Sequence, residues 1–168
     1  SVATDEDNAY YIPVGHDYEG APKQLDREEV LKKLKPIIEK TPLIGQHLKF
    51  DRNVLANYDI HLNAIENDTM LMSYVYDPTA TRHNLDAMAS HYLNVKTTTF
   101  EDVVGKGVKQ LTFNQIPLEK ASDYAAEDAD ITFRCYSHLK PALAKTPSLE
   151  KVLHEIELPL VPVLSDME

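Results

Sequence analysis

Tyr124 and Asp128 stand one helical turn apart in the run Tyr124-Ala125-Ala126-Glu127-Asp128-Ala129-Asp130. At helical spacing they share a face with Ala121, Ile131 and Cys135, the face that would turn toward a core. A carboxylate in that position is strongly disfavoured unless it is neutralised, hydrogen-bonded or bound to a cation. Asp51 poses the same problem, because helical spacing groups it with Val54, Leu55 and Tyr58. Two such carboxylates from different helices offer the hard oxygen ligands that Mg2+ and Mn2+ prefer, so Asp51 and Asp128 are the candidate metal ligands. Two divalent cations about 4 Å apart can generate hydroxide from water and stabilise the leaving oxygen of a phosphodiester. Tyr124 would then orient the attacking water. The same spacing is also satisfied if both aspartates cap or pair locally and Tyr124 is ordinary core. Glu127 and Asp130 fall off the inward face and read as solvated.

The elements that must position these side chains can be read from pattern. Residues 9–14 are aromatic and β-branched and follow the polar turn Asp5-Glu6-Asp7-Asn8, so they form the second arm of a hairpin whose first arm is residues 2–4. Asp26, with Glu29 three residues later, caps a helix whose apolar face is Val30, Leu31, Leu34, Ile37 and Ile38, and Pro36 bends or shortens it. Residues 43–46 and 60–65 read as short buried strands and 47–58 as a helix. Asp68 opens another helix that ends before Pro78, and residues 85–93 make a further amphipathic one. Thr99 with Asp102 forms a capping box, and Pro117 suits the first turn of a long helix toward Leu139. Helices alternating with short apolar strands give an α/β class built around a mixed sheet. After Pro147, Pro159 and Pro162 interrupt any regular period. The reading is therefore one domain over residues 1–147 and a connector helix over 148–168.

Composition narrows the partners. The 168 residues carry 17 Lys plus Arg against 27 Asp plus Glu, and the net charge of −10 is split evenly between the two halves, so there is no basic arm for broad phosphate neutralisation. Only Lys49, Arg52, Arg82, Lys106 and Lys109 could form a positive track, with Lys106 and Lys109 beside Gly105 and Gly107 as candidate phosphate contacts. The longest apolar runs are too short to cross a bilayer. A single cysteine, Cys135, excludes an internal disulfide and reads as a buried thiol. His16-Asp17 is too short a match to indicate a metal site.

Several separated blocks in a fixed order carry a resemblance: Gly45-Gln46-His47-Leu48-Lys49-Phe50-Asp51-Arg52, then Asp68-Thr69-Met70-Leu71, then Leu111-Thr112-Phe113-Asn114-Gln115, then Tyr124 to Asp130. Together they resemble the proofreading 3'-5' exonuclease domain of bacterial family A DNA polymerases over essentially the whole chain. The closing Glu157-Leu158-Pro159-Leu160-Val161-Pro162-Val163-Leu164 resembles the junction into the polymerase domain. The resemblance implies a ribonuclease H-like fold and hydrolysis of 3'-terminal nucleotides from a mismatched primer. It also implies two divalent cations held by four carboxylates, Mg2+ first, with Mn2+ or Zn2+ as alternatives.

Within that family pattern, Asp51 matches the second motif, Asp128 the third, and Tyr124 the water-positioning tyrosine. Phe100 and Arg82 match positions along the path of the single strand, and Gln46 and His47 precede the second motif. His47 stands where the motif usually has Asn, which a neutral imidazole can replace as a donor. The family's first motif, Asp-x-Glu on the opening strand, is missing; Asp5-x-Asp7 lies in a hairpin turn, so the true pair is expected upstream of Ser1. The implied partners are a single-stranded 3' end of DNA and a polymerase domain of the same parent chain, in a monomer working at the nucleoid of a bacterial cytoplasm. Two further readings remain: a catalytically inactive domain that supports the polymerase, and an independent RNA-trimming exonuclease, which the polymerase-like junction disfavours.

Overall fold

The computed structural model describes residues 1–168. The chain opens with the antiparallel hairpin β1 (Val2–Asp5) and β2 (Asn8–Tyr10), in the register Val2 to Tyr10 and Ala3 to Ala9. Asp7 takes a left-handed backbone conformation at the turn, which Asp tolerates better than most residues. After a loop, Asp26 accepts a hydrogen bond from the Glu29 amide at 3.0 Å and starts α1 (Arg27–Ile38), which stops two residues beyond Pro36. The second ladder is parallel: β3 (Leu43–Gly45) pairs with β4 (Ile65–Asp68), and α2 (Leu48–Ala56) crosses between them. The remaining helices are α3 (Thr69–Tyr76), α4 (Leu85–Met88) continued by a π turn to Leu93, α5 (Phe100–Val104), α6 (Leu118–Ala144), α7 (Pro147–Val152) and α8 (Leu158–Asp166).

α6 is the spine. It packs on β1, β2 and β3, and on α3 and α7. Its inward positions Ile131, Cys135, Leu139 and Leu143 meet Met72, Met88, Leu153 and Leu158 in the main core, while Ala121 joins Val103, Val104 and Ile116 in a smaller one. Burial pushes the Cys135 thiol up to about 12, so it remains a protonated core group, as the sequence indicates. No helix is long and apolar enough to cross a membrane.

Four expectations change. The strands form two separate two-stranded sheets, one antiparallel and one parallel, rather than one mixed sheet. The second buried strand is Ile65–Asp68 rather than 60–65: Ile60 and Leu62 are buried, but as part of the irregular segment before it. The apolar stripes of α1 and α2 are not core faces. α1 has no buried residue, and on α2 only Leu48 is buried while Val54 and Tyr58 are exposed. Periodicity marks a face that is apolar, and burial also requires an opposing surface.

The segment after Pro147 is also more than a connector in its packing. Leu153 and Leu158 belong to the main core. The helix runs on through Pro159 because a π turn precedes it, in which the Leu158 amide bonds the Leu153 carbonyl five residues back. Beyond it, α8 clasps α2: Arg52 pairs with Asp166 at 2.7 Å and with the Ser165 hydroxyl, Asn53 bonds Glu168 at 2.7 Å, and Lys49 pairs with Glu168. Leu153→Ala should therefore cost about 2–5 kcal/mol in urea denaturation, as for any buried Leu truncation. A loss below about 0.5 kcal/mol, typical of surface positions, would show the segment to be dispensable.

Candidate active site

Asp51 and Asp128 reach the site from different helices. Asp51 sits in the first turn of α2, whose start is unusual. His47 precedes it in the left-handed conformation, φ 59° and ψ 49°, and its side chain caps nothing. Gly45 ends β3 where a Cβ would lie 2.3 Å from Leu48 Cδ2, so a larger residue there would displace the Leu48 side chain buried beneath it. The missing cap comes from β4: Asp68 accepts hydrogen bonds from the His47 amide at 3.1 Å and the Leu48 amide at 2.7 Å.

Asp128 lies on α6 one turn after Tyr124, both half-buried, with Ala121, Ala125 and Ile131 fully buried on the same side. Tyr124 stands in an aromatic group, 6.1 Å from Phe100 and 6.0 Å from Phe113 between ring centroids, and Phe100 stacks on Phe113 at 6.5 Å. Phe113 is held in its turn by Thr112 and Gln115, whose side chains cap each other. On its far side it meets Tyr11 and the buried His16.

The two carboxylates share an electrostatic environment. Ser1, the residue before β1, lies within electrostatic range of both. Asp51 presents surface to solvent, yet crowding by protein raises its carboxyl, with Asp68 adding to the rise and its own amide and His47 opposing it. Burial pushes Asp128 up to about 6; the Tyr124 hydroxyl opposes, while Asp86 and Glu127 add to the rise. The Tyr124 phenol is driven well above its usual range by burial and by the Asp128 charge, so it stays protonated at neutral pH and can orient a ligand without acting as a base. No group of three or more His, Cys, Asp or Glu side chains converges. The donor set thus fits a divalent cation in kind, as two anionic oxygens lacking a fixed side-chain cation, and is short in number.

The other sequence candidates divide. Phe100 is 44% exposed and adjoins Tyr124, as a stacking ring on a strand path requires. Gln46 spends both ends of its amide inside the protein, donating to the His83 carbonyl at 2.9 Å and accepting from the Thr69 hydroxyl at 2.6 Å. Arg82 and His47 are exposed. Lys106 pairs with Glu101, and Lys109 lies in an exposed turn. Asp5 and Asp7 are confined to the hairpin, with Asp7 paired to Arg134.

Two outward acidic residues do more than meet solvent. Glu127 accepts from the Thr98 amide at 2.9 Å, and Asp130 accepts from the Asp7 amide at 2.9 Å and pairs with Arg134 at 3.0 Å. Both tie loops to α6, a role no local spacing signals. Phe113 and the second role of Asp68 were likewise missed: each lies in a block that carries the resemblance, but no periodicity marks either as part of the site.

Over residues 1–144 the chain matches the 3'-5' exonuclease family, and it belongs to that family. It is 53% identical to DNA polymerase I of Pseudomonas aeruginosa, an alignment covering all of this chain and 19% of that protein. It is 36% identical to DNA polymerase I of Rhizobium leguminosarum over 95% of this chain and 16% of that one, and 36% identical to DNA polymerase I of Chloroflexus aurantiacus over the whole chain and 18% of that one. The chain thus spans about a fifth of the length of the curated relatives it matches.

The raised Asp128 carboxyl makes stability depend on pH in a defined direction. In the unfolded chain this group titrates near 3.8 and in the folded chain near 6, so the folded state binds the proton more tightly. The penalty is absent well below pH 4, builds between 4 and 6, and is complete above 6. A full shift of this size corresponds to about 3 kcal/mol, which partial solvent access reduces to about 1–2 kcal/mol. In buffer containing EDTA, Asp128→Asn should stabilise the fold by that amount at pH 8 and by almost nothing at pH 3.5. An equal gain at both values in urea denaturation would contradict the assignment.

Proposed function

We propose that this chain is the proofreading 3'-5' exonuclease domain of a DNA polymerase I-type chain, hydrolysing the 3'-terminal phosphodiester of a frayed primer strand. The observation that carries the reading is the convergence of Asp51 from α2 and Asp128 from α6 on the neighbourhood of Ser1, where the hairpin begins, with Tyr124 alongside. Divalent cations, with Mg2+ first and Mn2+ or Zn2+ as alternatives, would be held by Asp51 and Asp128, supplying an activated water and neutralising the leaving oxygen. Tyr124 holds the water in line through its protonated hydroxyl. Phe100 stacks a terminal base, a sequence-tolerant contact suited to any mismatch. Arg82, Lys106 and Lys109 lie exposed where strand phosphates can reach them. Gln46 supports the site from within by its bonds to Thr69 and His83.

The two separate ladders both pack on α6, which is consistent with their being parts of one ribonuclease H-like sheet. A strand between them would carry the Asp-x-Glu motif and complete the four carboxylates. The absence of a three-ligand cluster also supports a second reading, a noncatalytic domain that only buttresses a polymerase.

The deciding measurement is degradation of a single-stranded 3' end by the complete polymerase chain with Mg2+ or Mn2+. Asp51→Ala and Asp128→Ala should each lower the rate by at least about 100-fold while leaving nucleotide incorporation intact. A wild-type chain that degrades no 3' end supports the buttressing role. A chain that degrades it undiminished after both substitutions shows that other residues do the chemistry.

A further inference from the structure

Asp68 is 1% exposed and has no cationic side chain hydrogen-bonded to it. Its carboxylate is met by four backbone amides instead. Oδ1 accepts from His47 at 3.1 Å, Met70 at 2.9 Å and Leu71 at 3.4 Å, and Oδ2 accepts from Leu48 at 2.7 Å. The first and last of those amides, His47 and Leu48, open α2; the other two open α3. One side chain therefore caps two helices at once, with the positive ends of both dipoles directed at it.

For α3 this is an ordinary cap by the preceding residue. For α2 it is a substitute, because His47 is left-handed and its imidazole makes no capping bond. The adjoining Thr69 reinforces the link, its hydroxyl lying 3.1 Å from the Gly45 carbonyl and 2.6 Å from Gln46 Oε1. The end of β3 and the first turn of α2 are thus fastened to the β4–α3 junction by buried polar contacts, and Asp51 lies one turn beyond Leu48.

We propose that Asp68 is a positioning residue for the hydrolytic site: by capping α2 from the neighbouring strand it sets where Asp51 stands relative to Asp128 and Tyr124. This rests on the exonuclease reading given above. Asp68 does not touch substrate. It acts through the backbone of α2, and misplacing a reacting group by about 1 Å costs on the order of 100-fold in rate.

The experiment compares Asp68→Ala, Asp68→Asn, Asp51→Ala and Met72→Ala in the complete polymerase chain. Met72 is buried on α3 within the core and away from the start of α2, so its truncation reports destabilisation alone. Excision is measured below the onset of unfolding, together with amide hydrogen exchange at Leu48. Asp68→Ala should lower kcat about 10–100-fold with KM within about threefold, and Asp68→Asn, which keeps the shape and one acceptor, should recover part of the loss. Met72→Ala should lower the melting temperature comparably while keeping kcat within about threefold, and Leu48 exchange should accelerate at least about tenfold in the Asp68 variants only. If Asp68→Ala does not fold, Asp68→Asn carries the comparison.

Loss of excision in Asp51→Ala with Asp68 variants no worse than Met72→Ala overturns this inference and leaves the exonuclease reading standing. Undiminished excision in Asp51→Ala overturns both.

Discussion

Two carboxylates crowded by protein without a fixed side-chain cation are the constraint on which the site depends. A solvated aspartate needs no account, and one buried beside an arginine is a structural ion pair. Asp128 is neither, and Asp51, though it presents surface to solvent, is crowded enough that its carboxyl is raised. Each is raised by crowding, and neither is paired with a lysine or arginine. The folded chain tolerates that energetic deficit only because the rest of the fold is stable enough to impose it. Such stored unfavourable charge is what a cation-dependent hydrolase needs, since binding the ion then relieves the deficit.

The scaffold that imposes it is mostly α6. Its buried alanines and Ile131 seat the helix against the core, and Tyr124 and Asp128 lie half-buried on the same side. Its outward carboxylates, Glu127 and Asp130, fasten the loop at Thr98 and the hairpin turn at Asp7, so the flanking segments are registered to the same helix that carries Tyr124 and Asp128. Phe113 completes the arrangement by packing between the Tyr11–His16 pair and the rings of Phe100 and Tyr124.

What could be read from the sequence follows the range of the signal. The hairpin, although its second arm stops at Tyr10 rather than running to residue 14, the Asp26 cap, the Thr99–Asp102 box and the one-turn spacing of Tyr124 and Asp128 are local patterns, and each is realised. The only partly covered stripes of α1 and α2 misled because an apolar face says nothing of what opposes it. Asp68 was legible as the cap of its own helix but not of α2, twenty residues earlier, since a cap supplied across a strand leaves no pattern in either segment. Pro159 signalled a break that a π turn removes by shifting the bonding pattern one residue, an option no proline count anticipates.

The geometry of Asp51 is finally held from both sides of α2. Its amino end is fixed by Asp68, through buried bonds that exclude water and therefore resist salt. Its flank is held by α8 through Arg52, Asn53 and Lys49, whose partners Asp166 and Glu168 are exposed. Exposed pairs contribute little and weaken with ionic strength, whereas buried amide-to-carboxylate bonds do not. The two anchors differ in kind: the first sets where the helix begins, and the second only damps its swing. The position of Asp51 is therefore specified by a single interior carboxylate, and the charged clasp at the end of the chain adds rigidity without deciding the register.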